Sequence, residues 1–169
     1  DFPQCQEENE APPQEELVNE VSDLWGVWHV VTPGTNMPLK FTKPLLDEMM
    51  PKLKQQVEQA HAKFPELSGR QIVVGITKKR WLDGYAVGEE FCIRLNVNRR
   101  TQTSCFTIGH ELTHLLQKPG LGIVPDGEVQ CDIWTLARSE LFLDEMPTYL
   151  DVHSCTEENW KYHARAVRE

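Results

Sequence analysis

His110 and His114 stand four residues apart in the run Thr107-Ile-Gly-His-Glu-Leu-Thr-His-Leu-Leu116. On an α-helix, side chains at that spacing lie one above the other on a single face. Two imidazoles so placed can hold one metal ion through nitrogens about 2.0–2.1 Å away. Glu111 follows the first histidine directly, where its carboxylate can serve as a general base to water beside the metal. Histidine is scarce in this chain, six in 169 residues, so a chance His-Glu-x-x-His is uncommon. Ile108, Gly109, Leu112, Thr113, Leu115 and Leu116 are uncharged, as a helix through the middle of a small domain requires. An ordinary buried helix can also carry two histidines, but a charged Glu buried between them is costly without a metal or a partner. The pattern predicts a zinc-dependent site for peptide-bond hydrolysis.

A catalytic zinc commonly takes three protein ligands and leaves a fourth position open. The segment after the motif offers Glu128 and Asp132, fourteen and eighteen residues beyond His114 and themselves four apart, so one helix face can carry both. The loop from Lys118 to Glu128 is long enough for that second helix to cross the first. Cys131 and His153 compete for the third position. Manganese or iron also suits two imidazoles and a carboxylate. Tyr149, His153 and Arg138 are candidate donors to a developing oxyanion. Cys5 is a further candidate, as a thiolate closing the fourth position in a latent form.

His110-Glu-Leu-Thr-His114 followed by Glu128-Val-Gln-Cys-Asp-Ile-Trp-Thr135 resembles the ImmA/IrrE family of small gluzincin-type metallopeptidases, whose second motif runs roughly Glu-x-x-Ala-Asp/Asn-x-Phe-Ala. The likeness covers about residues 70–143 and departs from the family pattern at Cys131, Trp134 and Thr135. It implies a zincin-like α+β domain, with zinc held by His110, His114 and Glu128 and with Glu111 as general base. Asp132 would then accept the free ring N–H of a ligand histidine and fix its tautomer. Other gluzincins place the third ligand about nineteen residues past the second histidine, which nearly fits Asp132. The family acts on repressor proteins in stress response and mobile-element regulation, which implies a narrow choice of protein substrate. A non-proteolytic regulatory or binding protein that keeps the fold is the alternative, against which an intact Glu111 argues.

The elements that must position these residues are legible as patterns. Leu17, Val21, Leu24, Trp25 and Trp28 predict a helix, ended by a turn at Pro33-Gly34. Thr42 and Pro44 open a second helix, with Leu45, Met49, Leu53, Val57, Ala60 and Phe64 on one stripe and an interruption at Pro51. Residues 71–77 read as a buried strand; 85–87 and 90–96 read as a hairpin around Gly88-Glu89. The strand at 90–96 resembles the edge strand of zincins, along which an extended peptide would add. The motif helix should run over 103–117, stopped by Pro119-Gly120, and the next from an Asp126 cap to about Leu143. The result is a small mixed or antiparallel sheet with an active-site helix and a following glutamate-bearing helix.

Length and composition set the outer limits. The chain reads as one domain over 17–169 behind a flexible acidic tail at 1–16, a stretch with six acidic and no basic residues. Seventeen basic against 26 acidic residues leave a net charge of −9, which argues against a general nucleic-acid binder. Arg94, Arg99 and Arg100 stand out in that acidic background as groups that can steer an acidic substrate segment. No apolar run is long enough to span a bilayer, and no basic-then-apolar segment opens the sequence. The five cysteines form no Cys-x-x-Cys pair. Those features predict a reduced, cytoplasmic setting with no membrane partner.

Overall fold

Ile72-Val-Val-Gly-Ile76 forms a strand with hydrogen-bonded neighbours on both sides, as its run of apolar and mostly β-branched residues requires. It is seen in a computed structural model that describes residues 39–43, 45, 51–79, 81–97, 103–150, 156 and 158–166. These belong to a unit spanning Pro33–Glu169. The expected tail and helix within 1–38 lie outside the described residues, as do Met49, Arg99, Arg100 and His153. Among the described residues the fold is a mixed α+β arrangement of four strands and four α-helices.

The strands are β1 (Leu39–Phe41), β2 (Ile72–Ile76), β3 (Gly84–Val87) and β4 (Cys92–Leu95), in the order β1-β2-β4-β3. β1, β2 and β4 run parallel, and β3 pairs antiparallel with β4, Gly84 opposite Leu95 and Val87 opposite Cys92. The expected hairpin is therefore present, but the role assigned to its second strand is corrected. β4 is interior, flanked by β2 and β3, and has no free edge for a peptide. Among the described residues the free edge on that side is β3. β1, three residues long, was not expected; it continues into Thr42, whose N–H reaches Val74 O at 2.9 Å, and the chain is helical at Lys43 and Leu45 directly after it, where the sequence places a helix start.

The helices are α1 (Pro51–His61), α2 (Cys105–His114), α3 (Glu128–Arg138) and α4 (Trp160–Ala166). Pro51 stands at the start of α1, where its missing N–H costs nothing, and Leu53, Val57 and Ala60 are buried along one face. They meet Ile72, Val74, Ile93 and Leu95 of the sheet and Ile108 and Leu112 of α2 in one core. α3 ends at Arg138, five residues short of the expected Leu143. Ser139 turns extended there and caps a single 3-10 turn, Glu140–Phe142, which carries Phe142 into the core. Nor does Asp126 cap α3. Its carboxylate accepts the backbone N–H of Lys118 at 3.0 Å, and Gly127 takes the cap position. Among the described residues no helix is long and apolar enough to cross a membrane.

Candidate metal centre

The motif residues sit on a helix whose start is held from two directions. Ser104 caps α2 through Thr107 N–H. Asp144, far along the chain, adds its carboxylate to the same end, accepting the N–H groups of Cys105 at 2.7 Å and Phe106 at 2.9 Å. A carboxylate there also meets the positive end of the helix dipole. Glu145 accepts from the hydroxyls of Ser104 and Thr107. In the middle of α2, Gly109 lets α3 and Phe142 come close: a β-carbon there would lie 2.8 Å from Thr135 Cγ2 and 2.7 Å from Phe142 Cε1. The absence of a side chain at Gly109 is what brings the second helix within reach of the first.

The outcome is a triangle of three atoms that could ligate a metal ion. His110 Nε2 lies 2.9 Å from Glu128 Oε2 and 3.1 Å from His114 Nε2, and His114 Nε2 lies 3.3 Å from the same Glu128 oxygen. Donors about 2.0–2.1 Å from a tetrahedral ion are roughly 3.3 Å from one another, so zinc fits this triangle with little adjustment.

Hydrogen bonding on the far sides of the rings decides what the triangle can hold. Asp132, fully buried, brings Oδ1 within 2.8 Å of His110 Nδ1, and its Oδ2 accepts from the backbone N–H groups of Tyr149 and Leu150. An ionised carboxylate only accepts, so the proton of a neutral His110 sits on Nδ1 and a lone pair is left on Nε2. Gln117 does the same for His114. Its NH₂ group is engaged by the carbonyls of Pro125 and Gly127, so its Oε1, 2.9 Å from His114 Nδ1, accepts that N–H. With both rings neutral, three acceptors thus converge with no hydrogen between them, an arrangement that a cation satisfies and that otherwise repels. Burial alone would lower the pKa of His110, but the hydrogen bond to Asp132, the charges of Glu111 and Asp132 and the hydrogen bond to Glu128 outweigh it, so without a cation the ring is drawn toward its positive form. The same field favours a bound metal cation.

Comparison with protein families, curated proteins and solved structures finds no match for this chain.

Glu111 is buried beside the triangle, and its Oε2 has no hydrogen-bond partner among the described residues. Burial pushes its carboxyl up to about 8; His110 opposes this, and the carboxylates of Glu128 and Asp83 add to it. Gly84 of β3 makes room for it, since a β-carbon there would come within 2.9 Å of both Glu111 Cγ and Oε1. A cleft of about 450 Å³ opens over these groups, walled by Trp81, Asp83 and Tyr85 on the β3 side and by Thr148 and Tyr149 opposite. The Tyr149 ring stacks on His110, centroids 5.8 Å apart.

Other sequence candidates are placed elsewhere. Cys131 belongs to a group with His110 and His114 whose ligand atoms lie within 4.8 Å of one another. Its sulfur, however, sits 3.3 Å from His114 Nδ1, the nitrogen that Gln117 already engages, and burial with the nearby carboxylates pushes the thiol pKa up. Cys131 thus meets His114 on the Nδ1 side of the ring, whereas Glu128 reaches both Nε2 atoms. Asp132 has both oxygens engaged and is turned away from the triangle. Arg138 does not line the cleft: it clasps Glu66 at 2.8 Å and lies over the Phe64 ring. Nor does Arg94, whose guanidinium donates to Ile76 O. Cys5 and His153 lie outside the described residues. Gln117 and Gly84 are the site residues that sequence reasoning missed. A buried polar residue directly after Leu115-Leu116 was the available signal for Gln117.

Proposed function

We propose that this protein is a zinc-dependent peptidase of zincin-like, gluzincin type, related in its site to the ImmA/IrrE metallopeptidases. The convergence of His110, His114 and Glu128 as three acceptors beside the buried carboxylate of Glu111 carries the reading. His110, His114 and Glu128 would hold the ion, and Asp132 and Gln117 orient the two rings. When bound, zinc supplies a Lewis acid that polarises the scissile carbonyl and makes water easier to deprotonate. Glu111 takes the proton from the attacking water and returns it to the leaving amine. The peptide lies extended along the free edge of β3, its main chain hydrogen-bonded as an added strand. Tyr149, stacked over His110, is the donor nearest to hand for the developing oxyanion.

The test is zinc content of purified wild-type protein beside Glu111→Gln, with cleavage of a peptide library followed by mass spectrometry. Near-stoichiometric zinc in both, with cleavage in wild type alone, is the expected result. Zinc in both and cleavage in neither, across peptides and folded proteins, would favour a metal-dependent binding protein instead. Zinc in neither after reloading would overturn the metal site.

A further inference from the structure

We propose that Gln117 is a positioning residue for the metal centre, setting the ring orientation of His114 and seating Glu128 through one side-chain amide. The inference rests on the zinc reading above and adds to it a residue that neither ligates nor touches substrate.

Gln117 lies three residues past His114 and is buried, 4% exposed. Both amide hydrogens and the amide oxygen are engaged. Nε2 donates to Pro125 O at 2.7 Å and to Gly127 O at 2.9 Å, and Oε1 accepts from His114 Nδ1 at 2.9 Å. The amide cannot be turned over, because the flip would set its oxygen against two carbonyls and its NH₂ against a ring N–H. One planar group therefore reads His114 on one side and the backbone just before Glu128 on the other.

The second side matters because of where Gly127 stands. It adopts a φ of 124°, a region closed to most side chains, and a β-carbon there would lie 2.5 Å from Gln130 Oε1. Its carbonyl also accepts the first turn bond of α3, from Cys131 N–H at 3.2 Å. Gln117 thus grips the peptide unit from which α3 starts, one residue before the carboxylate of the triangle. Glu128 is 48% exposed along its side chain, so its place at the two histidines depends on where its backbone is held. The histidine and the carboxylate come from different helices, and Gln117 joins them without touching the ion.

Two substitutions separate the functions. Gln117→Glu is nearly isosteric and keeps an acceptor for His114, but turns an oxygen toward the carbonyls of Pro125 and Gly127. Gln117→Leu removes both functions. Zinc affinity is read by competition with a chromophoric chelator, and the His114 Nδ1–H by ¹⁵N NMR of metal-free and zinc-loaded protein. Gln117→Leu is expected to lose about tenfold to a hundredfold in zinc affinity, together with the protected Nδ1–H signal. Gln117→Glu is expected to keep that signal and still bind zinc more weakly than wild type. A general packing defect would not split the two readouts in this way. Wild-type affinity and an unchanged His114 signal in Gln117→Glu and in any folded Gln117→Leu protein would overturn the proposal. If wild type itself binds no zinc, the metal reading falls, and with it the positioning of a metal centre; the metal-free spectra then show only whether Gln117 orients His114.

Discussion

Asp132 divides its two oxygens between the ring of His110 and a wall of the cleft. Oδ1 takes the Nδ1–H of His110 at 2.8 Å, while Oδ2 takes the backbone N–H of Tyr149, also at 2.8 Å, and that of Leu150 at 3.0 Å. The orientation of the ring and the position of the segment that stacks on it are thereby fixed by one carboxylate. Asp132→Asn cannot reproduce this, because either orientation of the amide sets an NH₂ against N–H donors. Zinc affinity should fall about tenfold to a hundredfold. Unfolding free energy of the metal-free protein should drop by about 1–3 kcal/mol for the donors left unpaired. Chelator competition and urea titration measure the two separately. Unchanged zinc binding would mean that His110 is oriented by packing alone.

Gly109→Ala should disturb the site from the opposite side. The added methyl would sit 2.7 Å from the Phe142 ring and 2.8 Å from Thr135, both fully buried, so neither neighbour has room to yield. Overpacking of this kind costs about 1–3 kcal/mol. Because relief comes from moving α3 away, Glu128 moves with it, and zinc binding weakens although no ligand has changed. Urea unfolding with and without zinc would expose both effects. A variant as stable as wild type, with equal affinity, would show that the helices are not held at their limit of approach.

How much of this was legible depends on the range over which each feature is determined. The helical pairing of His110 with His114 is local, and so is the shared face of Glu128 and Asp132; spacing alone carries them. The division of labour proposed for those two carboxylates was implied by family resemblance, and the bonds of Asp132 offer a physical reason for it. The strand order was not legible. Cys92–Leu95 alternates as an edge strand would, and only the pairing of β2 with it, across the whole β3 excursion, makes it interior. β1 is too short to show a period, and its partner lies more than thirty residues on. Asp144 caps a helix that begins 39 residues before it, a relationship to which no local pattern points.

Acid should destabilise the protein partly through His61. This residue is buried at the end of α1 with Nε2 lacking a partner among the described residues, and burial lowers its pKa below the ordinary 6.5. The unfolded chain therefore binds this proton more readily than the folded one. His61 imposes no penalty well above pH 6.5, and stability falls as the pH drops below that value toward the folded pKa. One such group contributes a slope of at most about 1.4 kcal/mol per pH unit. His61→Leu should remove that part of the slope, read as the difference between wild-type and variant urea curves from pH 7.5 to 5. Parallel curves would show that His61 finds a proton acceptor on opening locally.

Gly84→Ala addresses the proposed base without touching a ligand. Gly84 stands on the free-edge strand, where a methyl would come within 2.9 Å of Glu111 Cγ and Oε1 and 3.0 Å of Arg94 O. The backbone oxygen is fixed by the β3–β4 pairing, whereas the end of the Glu111 side chain can turn, so Glu111 is the group that gives way. A base displaced by a fraction of an ångström loses its line to the attacking water, and misplacement on that scale costs about tenfold to a hundredfold in rate. kcat should therefore fall by that factor, while zinc content stays at the wild-type level because the triangle does not meet the methyl. KM should move much less, since β3 keeps its main-chain groups for the peptide. An unchanged kcat would show that Glu111 acts from a different rotamer than the one packed on Gly84; loss of zinc would show that strand and triangle are mechanically one unit.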